Sequence, residues 1–128
     1  MSITIGGVFF TVKDVDKSIE FYKKLLDIEP YAIEKYIDKD ISRWAEFGLA
    51  DGMHFGLINE SAMGKERKLG NNSVLNLYTD NLQEAYEKVK HLGFNVLCEP
   101  SNVEDSPYSY ECFIMEDLDG NLIEIAHM

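Results

Sequence analysis

One carboxylate near the end of the chain occupies a position where a metal ligand could be held. Glu124 lies in the middle of the alternating stretch 121–127, directly after the turn sequence Asp117-Leu118-Asp119-Gly120-Asn121. A strand holds its side chains in fixed directions, and carboxylate oxygens are ligands that divalent cations accept. Glu124 is therefore the first candidate for chemistry, either as a metal ligand or as a general base.

The chain has three histidines, and their positions in the sequence predict different surroundings for each. His91 falls at the end of a predicted helix, where an imidazole interacts favourably with the helix dipole. His127 lies three residues after Glu124, so strand alternation places it on the opposite face. His54 lies two residues before Gly56 on one predicted strand. It is either a pocket-lining group that hydrogen-bonds or titrates, or an ordinary strand histidine.

The charge balance excludes one class of partner. The net charge is −11, from 12 basic and 23 acidic residues, whereas binding to nucleic acid requires a surplus of Lys and Arg. No Lys or Arg follows Lys90, so the second half of the chain either attracts a cationic ligand or serves solubility. No apolar run is long enough for a membrane span and the N-terminus lacks a signal pattern, which predicts a cytoplasmic protein.

The two cysteines lie far apart, in predicted strands, without a C-x-x-C spacing. Cys98 and Cys112 are predicted to be buried free thiols rather than a disulfide or a nucleophile.

The elements that must position these residues begin with a strand and a helix. Alternation over 3–11 predicts a strand, and Asp14 then stands as the N-cap of a helix whose apolar positions recur at helical spacing. Strands are predicted to follow at about 29–37, 41–48 and 53–58.

The same order of elements restarts after the polar segment 59–71. Asp80 is predicted to cap a second helix, with Gln83 in the capping-box position and Gly93 at the C-terminal end. Strands are predicted at 73–78 and at about 94–99, 109–116 and 121–127.

This repetition predicts an internal duplication. Asp80 lies 66 residues after Asp14, and Asp119-Gly120 lies 68 residues after Asp51-Gly52. The fold class is therefore α+β, one domain of two βαβββ modules at 1–58 and 72–128 joined by a linker at 59–71. Two such modules are expected to form a curved mixed sheet around a concave pocket.

Two motifs resemble the vicinal oxygen chelate superfamily, which includes glyoxalase I, bleomycin resistance proteins and extradiol dioxygenases. The segment Gly7 to Tyr22 is similar to its opening strand followed by D-x-x-x-S-x-x-F-Y, and Asp117 to Ile125 is similar to its D-P-D-G-N-x-x-E ending, with Leu118 in place of the proline. The resemblance implies a divalent metal in some members, held by four side chains from four strands.

Carried over residue by residue, the resemblance leaves one metal ligand of four. The implied positions are Gly7, Gly56, Ser73 and Glu124. Glycine has no donor, serine is a weak neutral ligand, and only Glu124 is competent. One carboxylate does not meet the coordination needs of these cations, so no metal and no cofactor is predicted.

The predicted pocket is an apolar cup that keeps one carboxylate. Its expected lining residues share faces with the vacated positions or supply aromatic surface: Glu124, His54, Phe9, Ser73, Leu75, Trp44, Tyr110 and Phe113. Stacking, cation–π contact and one ion pair suit an aromatic or cationic organic molecule.

The function predicted is that of a metal-free small-molecule binding protein, similar to the bleomycin resistance branch. The resemblance to this branch implies a homodimer and a role in antibiotic resistance. The alternative is an enzyme. It would be a lyase or dioxygenase with an atypical metal site of Glu124, His54 and Ser73, or a metal-independent isomerase that uses Glu124.

Overall fold

Strands and helices occur in the same order twice along the chain. The computed structural model describes residues 7–49, 52–63, 69–70, 73–102 and 111–127. The elements are β1 (Val8–Val12), α1 (Val15–Leu26), β2 (Ala32–Lys35), β3 (Ser42–Gly48), β4 (His54–Asn59), a 3-10 helix (Glu60–Met63), β5 (Val74–Thr79), α2 (Leu82–His91), β6 (Val96–Asn102), β7 (Glu111–Glu116) and β8 (Leu122–His127).

Each repeat forms its own four-stranded mixed sheet. The strand order is β1-β4-β3-β2 in the first unit and β5-β8-β7-β6 in the second. The first strand of each unit pairs in parallel with the last, and the other pairings are antiparallel. The chain divides into two compact units, residues 1–69 and 70–128. The predicted α+β duplication is confirmed.

Helix α1 covers one face of the first sheet. Asp14 caps it as predicted, since its Oδ1 accepts a hydrogen bond of 3.1 Å from the backbone N–H of Lys17. The apolar side of the helix packs on β3 and β4, where Tyr22 is fully buried with its ring centroid 4.9 Å from that of Phe55. Burial of each such aromatic side chain contributes about 1.5–3 kcal/mol.

Helix α2 covers the second sheet, and its cap differs from the prediction. Asn81, not Asp80, is the N-cap, because the Asn81 side chain accepts a hydrogen bond of 3.0 Å from the backbone N–H of Glu84. Glu84 rather than Gln83 is therefore the capping-box residue. Asn81 lies 67 residues after Asp14, so the two openings align at 67 and not at 66.

Strand alternation gives each sheet a helix-covered face and an open face, the latter being the face opposite its helix. In the first unit, Phe55 and Leu57 are buried under α1, while His54 and Gly56 point to the open face. In the second unit, Ile123 and Ile125 are buried on the helix-covered face. Any candidate site within a unit therefore draws its side chains from every second residue of each strand.

The turn at 117–121 is held by its own side chains. Asp117 Oδ1 accepts hydrogen bonds of 2.9 Å from the backbone N–H groups of Asp119 and Asn121. Gly120 has φ +80°, a conformation that a side chain disfavours. Both Asp117 and Asn121 are buried, so the motif orients strand β8 and takes no visible part in chemistry.

Further predictions can be compared with the structure. The predicted linker contains the 3-10 helix at Glu60–Met63, and part of it lies outside the described residues. Cys112 is a buried free thiol, but Cys98 is exposed, so the prediction that both are buried is wrong for Cys98. Strand β6 is an edge strand, which explains that exposure.

None of the helices in the described part of the chain is long and apolar enough to cross a membrane.

The cap assignment gives a matched pair of variants. Asn81→Ala removes the side chain that accepts the Glu84 N–H, and should lower the free energy of unfolding by about 1 kcal/mol. Asp80→Ala removes the neighbouring exposed polar residue and should change it by less than about 0.5 kcal/mol. Urea unfolding followed by circular dichroism measures both, and a larger loss for Asp80→Ala would contradict the assignment.

Candidate functional site

An indole ring occupies the metal-ligand position implied for the first unit. A Cβ placed on Gly56 would lie 2.7 Å from Cη2 of Trp44 and 3.1 Å from Cβ of Phe9. Carbon atoms in contact prefer separations of about 3.5–4.0 Å, so a side chain at position 56 would require this ring to move. Trp44 lies on β3, on the open face, and Phe9 lies on β1 directly beside Gly56 in the register.

The implied ligand position on β1 is closed as well. A Cβ on Gly7 would lie 2.9 Å from the backbone oxygen of His54 and 3.1 Å from its Cβ. The neighbouring atom is backbone, which cannot swing aside as a side chain can. Both ligand positions of the first unit therefore lack a donor side chain, and a side chain added at either would displace its close neighbours.

Phe9 and Trp44 form an aromatic surface over these positions. Their ring centroids are 5.1 Å apart at an interplanar angle of 74°, an edge-to-face contact. Phe9 is 46% exposed although it is a large apolar residue on a strand. The open face of the first sheet thus presents an accessible aromatic surface where the family places a ligand.

A polar cluster lies beside this surface. His54 Nδ1 is 2.9 Å from Oε1 of Glu46 and 2.5 Å from the hydroxyl oxygen of Tyr31. Glu46 pairs with Gly56 across β3 and β4, and Tyr31 is tied to the same strand through its backbone N–H, which donates to the Glu46 carbonyl at 2.9 Å. Strands β3 and β4, together with the residue that precedes β2, therefore bring these groups to one place.

The carboxylate of Glu46 affects the phenol of Tyr31. Partial desolvation raises the pKa of Tyr31 above the ordinary phenol value, and a hydrogen bond to Glu46 and the charge of Glu46 raise it further. The phenol therefore stays protonated at neutral pH.

In the second unit Glu124 lies on the open face, next to polar side chains. Nδ2 of Asn76 donates to Oε1 of Glu124 at 2.6 Å. The thiol of Cys112 lies near Glu124. Burial raises the pKa of this thiol, and the charge and hydrogen bonding of Glu124 raise it further. A raised pKa keeps the thiol protonated, which does not suit a nucleophile.

The structure corrects the predicted lining of the second unit. Because the helix cap is Asn81, the counterpart of Gly7 is Val74 rather than Ser73, and Ser73 precedes strand β5. Leu75 is buried on the helix-covered face, and the residue on β5 that pairs with Glu124 is Asn76.

Phe113 is also on the helix-covered face, in contrast to the prediction. It is fully buried, and its ring centroid is 5.4 Å from that of Tyr86 on α2. Ile114, its neighbour on β7, pairs with Glu124 and shares the open face. Tyr110, another predicted lining residue, lies outside the described residues.

The four implied metal-ligand positions are therefore Gly7, Gly56, Val74 and Glu124. Two are glycines, one is an exposed aliphatic side chain and one is a carboxylate already bound by Asn76. This donor set does not fit a divalent cation, which needs several oxygen, nitrogen or sulfur ligands. Among the described residues, no group of three or more His, Cys, Asp or Glu is placed to hold a metal ion.

Sequence reasoning missed part of this arrangement. Asn76, Glu46 and Tyr31 are not among the predicted lining residues, and the position of Tyr31 depends on the turn before β2. The signal for Glu46 was present, since it lies two residues after Trp44 on one strand.

Comparison with known proteins identifies the family to which this chain belongs. The family model described as "Glyoxalase/Bleomycin resistance protein/Dioxygenase superfamily" matches residues 4–125. The chain belongs to this superfamily, as the sequence resemblance predicted. The sequence matched none of the curated proteins with which it was compared.

Solved structures agree on the fold. A member of the same superfamily from Sphaerobacter thermophilus is 20% identical with a TM-score of 0.78, covering 98% of each chain. A glyoxalase/bleomycin resistance protein from Catenulispora acidiphila is 16% identical with a TM-score of 0.67, covering 99% of each chain. An integron cassette protein of Vibrio cholerae is 24% identical with a TM-score of 0.65, covering 99% of this chain and 97% of that one.

The contact between Trp44 and Gly56 is testable by substitution. Gly56→Ala should destabilise the protein by about 1–3 kcal/mol, because the added methyl group displaces the indole. In a Trp44→Ala background the same change should cost less, since the obstructing ring is gone. A double-mutant cycle by urea unfolding measures the difference. Equal costs in both backgrounds would contradict the contact.

The interaction between Tyr31 and Glu46 predicts a titration. Glu46→Gln should lower the pKa of Tyr31 toward the ordinary phenol value without reaching it, because partial desolvation remains. Since the folded pKa is raised, the stability that Tyr31 contributes is complete below about pH 10 and is lost as the pH rises through the folded pKa.

Carbon-13 NMR of the tyrosine Cζ atoms resolves this titration residue by residue. Glu34→Gln, a substitution on the neighbouring strand β2, is the matched control and should leave the pKa of Tyr31 unchanged. An unchanged or higher pKa of Tyr31 in Glu46→Gln would contradict the effect of Glu46 on this phenol.

Proposed function

We propose that this protein binds a small, flat organic molecule on the open face of its first sheet, without a metal site of the type its family uses. One observation carries the proposal: the indole of Trp44 covers Gly56, so an aromatic surface replaces a ligand position. Binding pockets for small molecules are walled mainly by apolar and aromatic groups, with a few polar groups that fix orientation. Phe9 and Trp44 supply the first kind of group, and the Tyr31, Glu46 and His54 cluster supplies the second.

The charges favour a cationic aromatic molecule over an anionic one. Glu46 lies beside the aromatic surface, and the whole chain carries a net charge of −11. An aromatic face attracts a cation by about 0.5–2 kcal/mol, and the negative field of the protein adds a long-range term that salt screens. A homodimeric, cytoplasmic protein and a role in drug resistance remain predictions that go with this proposal.

The single tryptophan makes the proposal measurable, because Trp44 is the only indole in the chain. Titration with N-methylquinolinium and with neutral 2-methoxynaphthalene should quench or shift the fluorescence of Trp44 in a saturable manner. The cation should bind more weakly as salt increases, whereas the neutral probe should not.

Calorimetry with variants assigns the binding to the surface. Trp44→Ala should weaken binding of both probes by about tenfold or more, since a stacked aromatic contributes about 1–3 kcal/mol. Tyr86→Leu, on the helix-covered side of the second unit, is the control and should bind as the unaltered protein does. Absence of saturable binding by both probes would contradict the proposal.

A metal-dependent lyase or dioxygenase, or an isomerase that uses Glu124, is the second candidate. It is favoured by one observation: Glu124 lies on the open face at an implied ligand position, oriented by Asn76. Elemental analysis of untagged protein, followed by titration with Mn²⁺, Ni²⁺ and Zn²⁺, distinguishes the metal-dependent case. We expect no stoichiometric binding that depends on Glu124. Tight one-to-one binding that is lost in Glu124→Gln would overturn the metal-free proposal.

A further inference from the structure

The cluster of Tyr31, Glu46 and His54 lies next to the aromatic surface. His54 and Gly56 point to the same face of strand β4, two residues apart, which is roughly 7 Å along a strand. Glu46 pairs with Gly56, and Trp44 covers it. A flat molecule lying on the aromatic surface can therefore reach the imidazole.

The contacts of His54 determine where its proton lies. Its Nδ1 faces the carboxylate of Glu46 at 2.9 Å and the hydroxyl of Tyr31 at 2.5 Å. A lone pair on Nδ1 would face the negative oxygen of Glu46, whereas an N–H there donates to it. A hydroxyl oxygen accepts as well as donates, so the contact with Tyr31 is compatible with an Nδ1–H.

The neutral imidazole therefore carries its hydrogen on Nδ1 and a lone pair on Nε2. The His54 side chain is 43% exposed, and within the part of the chain that the structure describes its hydrogen bonds all involve Nδ1. Nε2 is thus an accessible acceptor, held in a fixed direction by a carboxylate and a phenol.

We propose that Nε2 of His54 accepts a hydrogen bond from the bound molecule, which is therefore a planar aromatic compound with an O–H or N–H donor on its ring. Glu46 and Tyr31 are positioning residues that hold the imidazole in this tautomer. The inference rests on the proposed function, because the aromatic surface of Phe9 and Trp44 must first bind the ring. It adds the chemical class of the ligand and the residue that selects it.

The first test compares two probes that differ only in the donor. The unaltered protein should bind 2-naphthol about threefold to tenfold more tightly than 2-methoxynaphthalene, since one net hydrogen bond contributes that much. Both titrations use the fluorescence of Trp44. The methyl ether keeps the ring and loses the O–H group, so the ratio of the two affinities isolates the hydrogen bond.

Variants assign this preference to His54. His54→Phe keeps a ring but removes both nitrogens, and should bring the ratio of affinities close to one. His54→Gln, whose amide reaches toward the position of Nε2, should restore part of the preference. His91→Phe, which removes an exposed histidine at the end of α2, is the matched control and should leave the ratio unchanged.

Nitrogen-15 NMR of the histidine rings tests the tautomer of His54 in the unaltered protein, where no substitution can disturb the fold. At a pH where the imidazole is neutral, His54 should show a protonated Nδ1 and an unprotonated Nε2. Glu46→Gln should change this distribution and reduce the preference for 2-naphthol together. A merely structural role for Glu46 would change stability and leave both readouts as they were.

The outcomes separate the two proposals. If neither probe binds, the proposed function fails, and this inference fails with it. If both probes bind with equal affinity in the unaltered protein, or if His54→Phe keeps the preference, the binding proposal stands and the role of His54 is overturned. A protonated Nε2 in the unaltered protein would overturn it as well.

Discussion

The indole of Trp44 lies where a side chain on residue 56 would begin, and this one contact determines what the first sheet can do. A Cβ at Gly56 would be 2.7 Å from the ring, so this position of the ring requires a glycine at residue 56. Strand β4 has no donor at this position, and β3 supplies an aromatic ring there instead. The fold is that of a family with metal-dependent members, while the contact makes the corresponding face apolar.

The polar groups around this contact follow from strand geometry. Alternation places Glu46 on the same face as Trp44, and His54 on the same face as Gly56. The pairing of β3 with β4 then brings carboxylate and imidazole to within 2.9 Å. A site with an aromatic surface and one oriented acceptor results from the same register that closes the ligand position. Fold membership alone would not have indicated this, because function depends on the site.

Much of the architecture was predictable from the sequence because it depends on local signals. The apolar repeat after Asp14, the turn glycines and the alternating runs each identify an element, and their order occurs twice. The family motif at the end of the chain singled out Glu124, which lies on the open face. The vacated positions at Gly7 and Gly56 could also be identified, because a glycine lacks a donor in any conformation.

The errors at the cap of α2 and on strand β5 share one physical origin. Asp80 and Asn81 are both competent caps, and Gln83 and Glu84 both suit the capping box, so local propensity does not decide between two frames one residue apart. A shift of one residue exchanges the two faces of a strand. It moved the predicted site from Val74 and Asn76 to Ser73 and Leu75. The position of Tyr31 depended on a turn, and its contact with His54 spans 23 residues, which no local pattern records.

The central claim is that Trp44 covers Gly56 in solution, and proton NMR tests it most directly. The account predicts nuclear Overhauser contacts between the indole ring protons of Trp44 and the α-protons of Gly56. It also predicts that the ring current shifts at least one of those α-protons from its usual position, and that Trp44→Leu abolishes the shift. Absence of these contacts, with Gly56 α-protons at ordinary shifts, would mean that the position is open and would contradict the account.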